Sequence, residues 1–142
     1  PTPLQDHRDL QPAPEWVQDR LARTTADVYF DLNRDVPTAA ARDALVRAIP
    51  ELKNILSDFP GLVIVLEGHC DDRGSRQYNR QLAKQRASAV REILVTRGFP
   101  DRHLRVVSFA DTRPQCFTLD EACRQKNRRV HLRAAQVPGE LR

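Results

Sequence analysis

The period of the apolar residues changes along the chain, and each change marks an element. Ala26–Asp27–Val28–Tyr29–Phe30 reads as a first strand, followed by a polar turn over Asp31–Leu32–Asn33–Arg34–Asp35. From Thr38 to Asp58 the apolar residues Leu45, Ile49, Leu52, Leu56 and Phe59 recur in steps of four and three, one face of a helix. Pro50 falls inside that pattern, where it removes a backbone hydrogen bond and crowds the preceding turn, so a kink or a break is expected there. Leu62 to Gly68 is a β-branched apolar run and reads as a central strand. A loop over His69 to Ser75 leads into a second helix, Ser75 to Thr96, with Leu82, Ala89, Val90, Ile93 and Leu94 inward. Arg97–Gly98 closes it. Leu104 to Phe109 is a third strand, and Thr118 to Asn127 a short helix with Thr118 and Glu121 spaced as a capping box. Arg129 to Arg133 is the last strand.

The resulting order, β-α-β-α-β-(α)-β, implies an α+β fold of two layers, helices packed on a mixed four-stranded sheet. The expected organisation is a leader over residues 1–25 with a short helix from Pro14 to Arg23, one domain over 26–135, and a frayed tail over 136–142.

Composition narrows the class. Apolar residues make up 40% of the chain and charged residues 30%, a globular balance. No apolar run approaches the roughly 20 residues that span a bilayer. Neither a signal peptide nor a lipid-attachment cysteine is visible near the start, so membrane attachment is expected only through a segment outside this chain. The net charge of +4 is spread among both signs, apart from a basic run over residues 124–129 that contains no aromatic residue. A nucleic-acid interface would combine a basic stripe with aromatics, so none is expected. The four histidines and three cysteines show no zinc spacing, and the five glycines form no phosphate loop, so no metal or cofactor is expected. Cys116 and Cys123 could close a small loop worth about 2–3 kcal/mol in an oxidising compartment, or remain thiols in a reducing one.

Candidate chemistry concentrates between the central strand and the second helix. Asp71 lies in the loop, and Asn79, Leu82 and Arg86 follow at helical spacing on one face. A carboxylate and a guanidinium in one pocket suit a ligand that carries an ammonium and a carboxylate together. Spacing alone equally allows Asp71 and Arg86 to pair with each other. Cys70 beside His69 has the composition of a thiolate–imidazole pair, but neighbours on extended chain point apart, so catalysis is not expected.

Three segments resemble the signatures of the OmpA C-terminal-like family: Glu67 to Ala87, the closing Lys126–Asn127–Arg128–Arg129–Val130, and the opening Val28–Tyr29–Phe30–Asp31–Leu32–Asn33. Within that family the chain looks most like the peptidoglycan-associated lipoproteins. The resemblance implies non-covalent binding of the diaminopimelate residue of the peptidoglycan stem peptide, in the periplasm, by a protein anchored to the outer membrane. By position, Asp71 would hold the ammonium and Arg86 the carboxylate. Asn79, Leu82 and Cys70 would complete the pocket, and Phe30, Asp31 and Leu32 its opposite wall. Arg128 would support the acidic loop. Cys116 and Cys123 match a variable loop where some relatives carry a disulfide. The same resemblance leaves room for the wall-binding domain of a motor-stator or porin-type protein, or for a module docking on Tol-type proteins. The loop from Asp31 to Pro37 is shorter than is usual in the family, and Cys70 stands where alanine or threonine is common.

Overall fold

A computed structural model, which describes residues 9–138, opens with a two-residue strand β1 (Gln11–Pro12) and helix α1 (Glu15–Thr24). Then come β2 (Val28–Tyr29), α2 (Ala39–Asp58), β3 (Leu62–Gly68), α3 (Arg76–Thr96), a 3-10 turn (Asp101–His103), β4 (Leu104–Ser108), α4 (Glu121–Asn127) and β5 (Arg129–Gln136). Those parts of the expected leader and tail at residues 1–8 and 139–142 lie outside the described residues.

The sheet is mixed. β3 pairs parallel with β4 and antiparallel with β5, in register Leu66↔Val106 and Leu66↔Leu132. The far edge of β5 is shared, by β2 at its start (Val28↔Val130) and β1 at its end (Gln11↔Gln136). The α+β, helix-on-sheet architecture matches the expectation, with one short strand added from the leader. All seven residues of β3 are buried, as a continuous apolar run requires.

Helices α1, α2 and α3 bury Val17, Leu21, Leu45, Ile49, Leu52, Ile55, Val90 and Leu94 against Leu62, Ile64, Leu66 and Leu132 of the sheet. On α3 the inward residues also include Ala83 and Ala87, while Ala89 is only half-buried. Helix and strand approach closely at Ala83: a Cβ added at Gly68 would overlap the Ala83 carbonyl. The long helices begin where their caps dictate, since the Thr38 hydroxyl accepts from Ala41 N–H and the Ser75 hydroxyl from Tyr78 N–H. Helix α2 runs unbroken through Pro50, so the predicted break is absent. The cap of α4 also differs: Asp120, not Thr118, accepts from the Cys123 N–H, and the Thr118 hydroxyl donates to the Asp120 carboxylate.

Four segments meet at the end of the sheet where β3 leaves and β5 enters. His69 N–H donates to Arg129 C=O, Phe30 N–H to Arg128 C=O, and Cys70 N–H to Ala110 C=O. These bonds bring the residues after β2, after β3, after β4 and before β5 into one place.

Candidate functional site

Helix α3 starts beside this junction, and its face of Asn79, Leu82 and Arg86 is buried against it. Gly74, at φ +91, turns the chain between Asp71 and the helix. A cleft of about 290 Å³ results, walled by Asp71, Arg73, Arg86 and Arg128, with Leu32 and Tyr78 at its mouth. Of the predicted residues, Asp71, Arg86, Asn79, Leu82, Cys70, Leu32 and Arg128 all line it. Phe30 and Asp31 do not. Phe30 is fully buried beneath, its ring 5.3 Å from the Arg86 guanidinium carbon, and Asp31 contributes its backbone carbonyl to Arg86.

Arg86 is the central cation. It is 1% exposed and is fixed by backbone carbonyls: Nε donates to Arg34 (2.8 Å), Nη2 to Asp31 (3.1 Å) and Nη1 to His69 (3.1 Å). It donates no hydrogen bond to a carboxylate among the described residues. Burial pushes its pKa down, with the nearby Arg128 acting in the same direction. A desolvated cation with no carboxylate hydrogen-bonded to it among the described residues is poised to gain from a ligand carboxylate.

Asp71 does not pair with Arg86, so the salt bridge that spacing allowed is not formed. Its carboxylate accepts from Arg73 Nη2 (2.7 Å), Arg73 N–H (2.9 Å) and Arg128 Nη1 (3.1 Å). Burial alone would raise its pKa, but these bonds outweigh it and hold the carboxyl below the usual range. Arg128 in turn donates to Phe30 C=O (2.9 Å), Glu121 (2.6 Å) and Gln125 (3.1 Å). It thereby ties the Asp71 loop to β2 and α4. Asn79 is 1% exposed, and its Nδ2 has no hydrogen-bond partner among the described residues. This is a second polar group in the cleft wall with unused capacity.

Arg73, Asn33, Gly74 and Tyr78 line the cleft without having been singled out from the sequence as site residues. Tyr78 hydroxyl donates to Asn33 Oδ1 (3.0 Å), joining the helix to the loop after β2 across the mouth. Arg73 stood inside the recognised signature, and its place beside Asp71 was the available signal.

The arrangement is unsuited to nucleophilic catalysis. Burial pushes the Cys70 thiol up to about 11, and the thiol donates to Asn79 C=O (3.2 Å). The neighbouring His69 ring is stacked on Phe109 on the other side of the chain, centroids 5.5 Å apart. Beside the cleft, Cys116 and Cys123 are joined in a disulfide, Cα atoms 5.4 Å apart.

The profile of the OmpA family matches residues 29–128. The peptidoglycan-associated lipoprotein of Brucella melitensis is 33% identical over 113 residues, 80% of this chain and 65% of that protein. The protein of the same description from Pseudomonas aeruginosa is 44% identical over 111 residues, 78% of this chain and 63% of that one. The chain thus spans somewhat less than two thirds of the length of these relatives. The crystal structure of the peptidoglycan-associated lipoprotein from Burkholderia pseudomallei superposes with a TM-score of 0.68 at 31% identity, covering 76% of this chain and 88% of that one. The C-terminal domain of Helicobacter pylori MotB shares the fold at 23% identity, with a TM-score of 0.64 over 77% of this chain and 83% of that domain.

Proposed function

Because this chain belongs to the OmpA family, we propose that it binds the peptide stem of peptidoglycan without chemistry and so anchors an envelope protein to the cell wall. The ligand group is the free head of diaminopimelate, one ammonium and one carboxylate on a single carbon. The observation that carries this reading is the buried Arg86 guanidinium, which lines the cleft with no carboxylate hydrogen-bonded to it among the described residues. The ligand carboxylate supplies that anion, Asp71 accepts from the ammonium, and Asn79 Nδ2 is available as a further donor to the carboxylate. Leu32 and Leu82 pack on the methylene chain behind the head group. Two relatives carry the description peptidoglycan-associated lipoprotein, which supports the polymer, and the Cys116–Cys123 disulfide suits an oxidising compartment such as the periplasm.

The test compares stem peptides that carry diaminopimelate with stem peptides that carry lysine, which keeps the ammonium and lacks the carboxylate. Leaving the Arg86 charge unmatched costs about 2–5 kcal/mol. Calorimetry is therefore expected to show the diaminopimelate peptide bound at least about 30-fold more tightly. Equal affinity for both peptides refutes the assignment of Arg86, and no binding of either refutes the stem-peptide reading.

A further inference from the structure

A second cleft of about 420 Å³ adjoins the first, and Asp71 and Cys70 belong to the walls of both. Its opposite wall is the segment 111–120, which presents Phe117 at 81% exposure and Leu119 at 71%. Exposure of this kind normally marks a loose loop or a binding surface. Here the loop is held at several points. The disulfide joins Cys116 to α4. The buried Asn127 side chain accepts from Gln115 N–H (2.7 Å) and Cys116 N–H (2.9 Å) and donates to Cys116 C=O (2.9 Å). Thr118 N–H donates to Cys123 Sγ (3.2 Å). The aromatic and the aliphatic side chain are thus displayed on a fixed frame.

The chemistry of the two clefts is opposite. Three arginines line the first, and no cationic side chain lines the second. The second instead carries Asp72 and Asp111 beside Pro114, Phe117 and Leu119. Asp72 is held by Arg124 at 2.8 Å, while Asp111 makes no ion pair among the described residues. Carboxylates only accept hydrogen bonds, so this wall repels the acidic parts of a ligand and favours groups rich in O–H and N–H donors. An exposed aromatic face adds a platform for an apolar ring face. Hydroxyls and an amide around the edge, with a C–H face above and below, is the description of an N-acetylated sugar ring.

We propose that the second cleft is a sugar subsite, with Phe117 beneath the ring and Asp111 and Asp72 accepting from its hydroxyl and amide groups. The inference rests on the stem-peptide reading of the first cleft, because the sugar arrives covalently joined to that stem. Calorimetry with two soluble probes tests it: the L-Ala–γ-D-Glu–diaminopimelate tripeptide, and the same tripeptide carrying its N-acetylglucosamine–N-acetylmuramic acid disaccharide. The unmodified protein is expected to bind the disaccharide probe about tenfold more tightly. Phe117→Ala and Asp111→Asn should each abolish that preference and leave tripeptide affinity unchanged. Equal affinity of the unmodified protein for the two probes overturns the proposal, and so does an equal loss for both probes in Phe117→Ala. Failure of the unmodified protein to bind either probe overturns the reading of the first cleft, a result distinct from both.

Discussion

Arg86 joins stability to recognition. Its guanidinium fastens the carbonyls of Asp31, Arg34 and His69, from two separate loops, and still lines the cleft. A lysine there keeps the charge but loses the planar fork, and its single ammonium cannot reach three carbonyls set around a plane. Losing two charge-assisted bonds predicts that Arg86→Lys is destabilised by about 2–4 kcal/mol in urea unfolding and binds the stem peptide at least about tenfold more weakly. A variant with unchanged stability and affinity would show that the charge alone suffices. At this scale the sequence revealed Asp71, Asn79, Leu82 and Arg86 through helical spacing and the family signature. It hid Tyr78, because one helical step from Asn79 points a side chain well off the shared face, yet the helix start faces the loop and brings Tyr78 to the mouth. It also hid that Asp71 is already clamped by Arg73 and Arg128, since that depends on the turn at Gly74 and on a contact 57 residues away.

Elements were legible wherever a local device sets them. Thr38 and Ser75 cap α2 and α3, and the continuous apolar run made β3. The break allowed for at Pro50 is absent because the helix around it is held by Ile49, Leu52 and Ile55 in the core, which outweighs the one backbone bond that proline removes. Thr118 misled because Asp120 offers a stronger acceptor two residues closer to α4. β1 was invisible because a two-residue Gln–Pro strand has no alternation to detect. The contact of α3 with β3 gives a prediction at this scale. Since a Cβ at Gly68 would overlap the Ala83 carbonyl, and neither atom belongs to a flexible side chain, the helix must lift off the strand. Gly68→Ala is expected to cost about 1–3 kcal/mol. It should also weaken stem-peptide binding, because Asn79, Leu82 and Arg86 ride on the same helix. A stable Gly68→Ala with normal affinity would mean that α3 can shift without disturbing the cleft.

Across the whole molecule, the leader is more than a linker over its described part: Val17 and Leu21 of α1 are 0% and 1% exposed in the main core. The other face of the sheet carries an ionic network that makes stability depend on pH in two directions. Burial would raise the pKa of Glu67, but the His69 ring 3.9 Å away and the Arg133 guanidinium at 2.6 Å bring it down to about 2. A carboxyl whose pKa is lower in the folded chain stabilises fully above its ordinary value, and the contribution disappears as pH falls through the folded value. The acid-side loss therefore runs from about pH 5 to about pH 2, and amounts to at most about 3 kcal/mol. His131 acts oppositely. The hydrogen bond to Asp27 at 2.7 Å raises its pKa, so its contribution is complete below the ordinary histidine value and is lost as pH rises through the folded one. Urea unfolding of the wild type and Glu67→Gln should differ most near neutral pH, and the two curves should converge as pH falls from about 5 to 2. His131→Gln should instead differ from the wild type below about pH 6 and approach it at alkaline pH. A gap for Glu67→Gln that stays constant across the acid range would place its effect in packing rather than in charge, and would remove Glu67 as the source of the acid sensitivity.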